Sequence, residues 1–114
     1  MSTEQIEALE ITIEQAKRMV DLMKAVQNLR KNADFIKVIE NGYFKEEASR
    51  LVLFKADPAM VAQVNQDYIS KCIDAIGFLS QYLDAKLQMG TQAERDIVGA
   101  QEAREEILQE DLDD

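Results

Sequence analysis

Histidine is missing from the 114-residue sequence, and cysteine occurs once, as Cys72. The first absence excludes histidine-based acid–base catalysis and the ordinary zinc ligand sets. The single thiol excludes an intramolecular disulfide and fits a reducing compartment. Proline also occurs once and glycine four times. That is too few for a loop-rich or all-β chain, whose turns depend on both residues. No run approaches the roughly 18 apolar residues that a membrane span requires. The opening Met1-Ser2-Thr3-Glu4-Gln5 has neither the basic start nor the apolar stretch of a secretory signal. The expectation is a cytoplasmic protein without a membrane partner.

Apolar residues make up 46% of the chain, enough for the core of one small domain. Thirteen basic against twenty-two acidic side chains leave a net charge of −9. The excess is uneven: −3 over residues 1–11, +3 over 12–56, −2 over 57–90 and −7 over 91–114. An acidic end of this kind is ordinarily solvated and repels phosphate backbones. The basic side chains Lys17, Arg18, Arg30, Lys31, Lys37 and Lys45 could share one surface, but the overall sign disfavours nucleic acid as a partner.

The periodicity predicts an all-α fold, a small bundle of about five helices. Thr12 and Gln15 form a capping box, and Ile13, Ala16, Met19, Val20, Met23, Val26 and Leu29 then mark one apolar face to about Lys31. Residues 1–11 form an N-terminal arm, either extended or a further turn of helix. Asn32 caps a second helix that Gly42 stops, and a third runs from about Tyr43 to Ala56. Asp57-Pro58 begins a long helix over about 58–89, with Gly90 as its terminator. Its stripe comprises Val61, Val64, Tyr68, Ile69, Cys72, Ile73, Ile76, Leu79, Leu83 and Leu87. Thr91 and Glu94 form a second capping box for an acidic C-terminal helix and tail over 91–114. Residues 12–90 are then the helical core.

Chemistry is sparse. The pairs Glu46-Glu47, Glu105-Glu106, Glu110-Asp111 and Asp113-Asp114 are adjacent in sequence, so on a helix they diverge by about 100°. Cys72 sits within the apolar stripe with no histidine to activate it. The reading is a non-enzymatic protein with no cofactor and no metal. A rod of some 32 residues would measure roughly 48 Å, longer than a 13.0 kDa globule is wide. Either it bends near Gly77, which would admit another backbone, or a partner covers part of it. The candidate contact residues are Arg50, Tyr68, Ile69, Ile76, Leu83, Leu87, Ile97, Ile107 and Leu108. Arg50 could pair with Glu46 or Glu47 instead, or reach a carboxylate on a partner.

The segments Asn32-Ala33-Asp34-Phe35, Gly42-Tyr43-Phe44-Lys45, Glu47-Ala48, Arg50-Leu51-Val52 and Lys55-Ala56-Asp57-Pro58 carry a resemblance. It resumes at Asp74-Ala75-Ile76-Gly77, Gln81-Tyr82, Met89-Gly90 and Ala93-Glu94. In this order and spacing, over about residues 12 to 95, the chain resembles small acidic proteins of tailed bacteriophages. The resemblance implies a viral protein made in the host bacterial cytoplasm, and a place among head or other virion proteins. It carries no catalytic residues with it. The expected function is structural or assembly-associated, by helix-mediated contact with further copies or a head protein, as a homo-oligomer. The alternative is an early protein that binds and inhibits a host or defence factor through its acidic surface.

Overall fold

The computed structural model describes residues 2–113. It is all-α, with no strand among the described residues, but it is not a bundle of five helices. Helix α1 spans Ser2–Lys31, and α2 is the single turn Ala33–Phe35. A π-helix, Ile36–Glu47, leads directly into α3, Ala48–Lys55. After a 3₁₀ turn at Pro58–Met60, α4 runs without interruption over Gln63–Asp113. Its 51 residues correspond to about 76 Å of helical rise.

Residues 2–11 are therefore helical and continue α1, which decides between the extended and helical readings of that segment. Both capping boxes are corrected for one reason. The Thr12 hydroxyl donates to the Ala8 carbonyl and the Thr91 hydroxyl to the Leu87 carbonyl, each at 3.0 Å. A threonine that bonds back four residues sits comfortably inside a helix, so its presence alone does not start one. The glycine stops are corrected as well. No described residue has a positive φ, so neither Gly42 nor Gly90 takes the left-handed conformation that ends a helix.

Two of the breaks are where residue chemistry puts them. Asn32 Oδ1 accepts from the Phe35 amide at 3.0 Å, which caps α2. Asp57 Oδ1 accepts from the Ala59 amide at 2.9 Å, with Pro58 in the first helical position. The helix that Asp57-Pro58 opens lasts one turn only, and α4 starts afresh at Gln63. Gln66 holds this corner by donating from Nε2 to the carbonyls of Met60, at 2.7 Å, and Lys55, at 3.1 Å.

The chain divides into two compact units. Among the described residues the first comprises 2–26 and 85–113 and is an antiparallel pair of helical segments. Its core is Ala16, Val20, Met23 and Ala93, with Leu87 and Ile97 packed against it. Met23 meets Gly90, and counting outward sets Val20 near Ala93, Ala16 near Ile97 and Ile13 near Ala100. Small residues at this seam let the helices approach closely: a β carbon on Gly90 would lie 2.2 Å from Met23 Cβ. Gly99, nine residues on, meets nothing within 4 Å. Gly99→Ala is therefore expected to raise stability by about 1 kcal/mol, since alanine is the better helix former. Thermal melts followed by circular dichroism check this.

The second unit comprises residues 27–84. The π-helix passes through Gly42, where an added β carbon would sit 3.2 Å from the Lys37 carbonyl oxygen. The core joins Leu51 of α3 to Ile69 and Ile76 of α4. Tyr43, Phe44, Ala48, Phe54, Met60, Cys72 and Ile73 surround it. Arg30, at the end of α1, donates from Nη2 to Asp84 Oδ1 at 2.8 Å and lies 4.0 Å from Glu40 on the π-helix. One guanidinium thus ties three elements of this unit together. Gly77 has open space around it, so no other backbone approaches there, and α4 continues through it.

Candidate interaction surface

The sequence reading placed the apolar stripe of the long helix on one face. The structure divides it. Ile69, Ile76 and Leu83 are buried by the chain's own elements. Leu87 and Ile97 are half-buried against the core of the first unit, and Ile107 is half-buried further along. Six of the nine candidate contact residues therefore point into their own unit. Tyr68 and Leu108 are exposed. Arg50 is exposed too, and its Nε donates to Glu47 Oε1 at 3.0 Å, the first of its two expected roles.

The residues that stay open on α4 form a second face, of which the expected stripe contains Val64 and Tyr68 but not Lys71, Ala75, Phe78 or Tyr82. Val64 is 74% exposed, Tyr68 69%, Phe78 67% and Tyr82 52%. Lys71 and Ala75, between them, are exposed as well. At 100° per residue these six positions lie within about 40° of a common direction, well away from Ile76 and Leu83. A helix of the second unit therefore has one apolar seam turned inward and another turned to solvent. The signal was present in the sequence: positions 64, 68, 71, 75, 78 and 82 are separated by four, three, four, three and four.

A shallow groove of about 270 Å³ borders Tyr68, with Leu51, Phe54, Met60 and Ile69 as floor and Arg50 and Asn65 at the rim. Its one cation is already engaged. The Arg50 guanidinium lies 4.9 Å from the centre of the Phe54 ring and pairs with Glu47, whose hydrogen bond raises the arginine pKa further. The Tyr68 pKa is raised too, first by its hydrogen bond to Cys72 one turn along the helix. The exposed ring of Tyr68 offers a flat contact surface and its hydroxyl a hydrogen-bond donor. Among the described residues no group of three or more Cys, Asp or Glu is placed to hold a metal ion. Among the same described residues no helix is long and apolar enough to cross a membrane.

The first unit carries most of the charge. Its open end brings together Glu4, Glu7, Glu10 and Glu14 of α1 with six carboxylates of α4 between residues 100 and 113. Only Arg104 offsets these ten within the same stretches. Like charges along both partners of a helix pair repel, and mobile ions screen them. Raising salt from 0.01 to 0.5 M is expected to raise the melting midpoint by about 5 °C, the equivalent of roughly 1 kcal/mol. A midpoint that falls with salt would contradict this.

No known protein family matches the chain, and no characterised protein or solved structure is significantly similar to it.

Proposed function

We propose that the chain is a non-enzymatic structural or assembly-associated protein of a tailed bacteriophage, acting through helix-mediated contact with other proteins. One observation carries the protein-contact part: an exposed heptad face with three aromatic rings on α4, separate from the seam that holds the chain together. Exposed aromatic side chains on one helix face favour association, since rings contribute large apolar area at small entropic cost. The bacteriophage part rests on the resemblance over residues 12 to 95. The partner is then a further copy or a head or other virion protein, met in the host bacterial cytoplasm and retained in the virion if the complex is permanent.

Mass spectrometry of purified particles from an infected culture tests this reading. Recovery of the chain at a fixed stoichiometry to the major head protein is expected. Its absence from both mature particles and assembly intermediates would overturn the assembly role.

The acidic open end of the first unit favours a second reading, an early protein that captures a host or defence factor with a basic surface. Replacing Glu102, Glu105, Glu106 and Glu110 with glutamine separates the two. Under the second reading capture from host lysate is lost, whereas under the first incorporation into particles is unchanged.

A further inference from the structure

We infer that the outer face of α4 pairs with the same face of a second copy, antiparallel, about a two-fold axis passing between Lys71 and Ala75. This rests on the protein-contact reading above and names the partner as the chain itself. The face runs Val64, Tyr68, Lys71, Ala75, Phe78, Tyr82 with alternating steps of four and three. A 3.5-residue repeat keeps one stripe facing a partner helix along its whole length, which the ordinary surface of a helix has no need to do.

The order of residues selects both the partner and the direction. Turned end over end onto itself, the stripe sets Val64 against Tyr82, Tyr68 against Phe78, and Lys71 against Ala75. Every bulky side chain then meets another bulky one. The only charged residue meets the smallest, so the lysine stem lies over Ala75 and its ammonium reaches Asp74 of the second copy. Among the described residues neither Lys71 nor Asp74 has an ion-pair partner within its own chain. The two-fold axis makes this pair twice. A parallel pair would set Lys71 against Lys71 and Ala75 against Ala75, which brings like charges together and leaves a gap.

The area is adequate for a reversible dimer. Three rings, each with more than half its surface open, supply about 300 Å² per copy. With Val64, Ala75 and the lysine stem the face reaches about 500 Å², or about 1,000 Å² for the pair, below the roughly 1,200 Å² of stable interfaces and in the range of weak, transient ones. Association in the micromolar range follows.

Sedimentation equilibrium of the full chain between 1 and 200 µM tests the inference. A monomer–dimer equilibrium is expected, with a Kd in the range of about 1 to 100 µM. Phe78→Glu is expected to weaken it at least 100-fold, because the change enters the interface twice. Phe78 is exposed in the monomer, so the far-ultraviolet circular dichroism of the variant should match the parent. Lys71→Glu is expected to weaken the dimer about tenfold, and adding Asp74→Lys to restore it. In a Cys72→Ser background, Val64→Cys should form a disulfide with Tyr82→Cys in a mixture of the two proteins, and not with itself. A wild-type monomer at 200 µM, a dimer insensitive to Phe78→Glu, or cross-linking of residue 64 to residue 64 would each overturn the antiparallel self-pairing. A monomer recovered in purified particles would sink this pairing and leave the assembly role standing. A dimer absent from particles would do the opposite.

Discussion

Gly90→Leu is expected to separate α1 from α4 in the first unit and to lower its melting midpoint by about 15 °C, corresponding to roughly 3 kcal/mol. The seam leaves no room at this position. Even the first added carbon would lie 2.2 Å from Met23 Cβ and 2.7 Å from Met23 Cγ and Sδ. The nearest obstacle is the carbon attached to the α1 backbone, not the mobile end of the side chain. A rotamer change in Met23 cannot clear it, so the helices themselves must move apart. Gly90→Ala is then also expected to destabilise, against the ~1 kcal/mol that alanine gains by helix propensity. Gly99→Ala in the same helix carries the opposite sign. Once they separate, the first unit has no other core to hold its two helical segments, and most helical stability in proteins comes from such packing, not from propensity. Helical content measured by circular dichroism should therefore fall together with the midpoint. An unchanged midpoint for Gly90→Leu would mean that Met23 and Gly90 do not meet.

Leu51→Ala should cost the second unit about 3 kcal/mol. Leu51 is the one buried residue of α3, and it packs on Ile69 and Ile76 of α4. Tyr43, Phe44, Phe54 and Met60 pack against the same cluster, so the space it vacates is walled by large groups. Those groups close over a missing side chain only in part, and the remaining cavity adds to the lost transfer energy. Denaturant titration with tyrosine fluorescence reads this unit, since Tyr43, Tyr68 and Tyr82 all belong to it. A loss below 1 kcal/mol would show that α3 is not anchored through Leu51.

Much of the helical content was legible, because apolar spacing at three and four is a direct consequence of helix geometry. The inner face of α1 was readable at Ile13, Ala16, Val20, Met23 and Val26, whereas Met19 and Leu29, expected on the same face, are exposed. The breaks at Asn32 and Asp57 were readable too, since each side chain there accepts a backbone amide that the helix leaves without a partner. The helix count was not. Thr12, Thr91, Gly42 and Gly90 belong to residue types that end helices, yet each also has a use inside one. The two threonines bond back to a carbonyl, Gly90 admits Met23, and Gly42 lies in the wider coil of the π-helix. Which use applies depends on the neighbouring helix, and local sequence does not contain that neighbour. Val64 and Tyr68 of the outer seam of α4 were read into the inner one, and Phe78 and Tyr82 were left unplaced, for a related reason. Apolar residues at 64, 68, 69, 72, 73, 76 and 79 are dense enough to read as one broad stripe. Only a 3.5-residue template applied at two phases separates the face that holds the chain from the face left open.

The charge pattern has a physical consequence that the residues alone half disclosed. The acidic ends of the sequence, 2–14 and 100–113, are far apart in the chain and adjacent in the first unit. Antiparallel pairing brings them together, so a tail expected to be solvated becomes half of a helix pair whose two members repel. Partly buried Leu9 and Ile107 hold this end against that repulsion.

The central feature of the first unit is one unbroken helix through Gly90, pressed against Met23, where a five-helix bundle would have a break. Nuclear Overhauser spectroscopy on the labelled protein tests it most directly. Cross-peaks from the Gly90 α protons to the Met23 side chain, with helical carbon shifts continuous from residue 86 to 96, are the expected result. Coil shifts at Gly90 and Thr91 with no cross-peak to Met23 would contradict it.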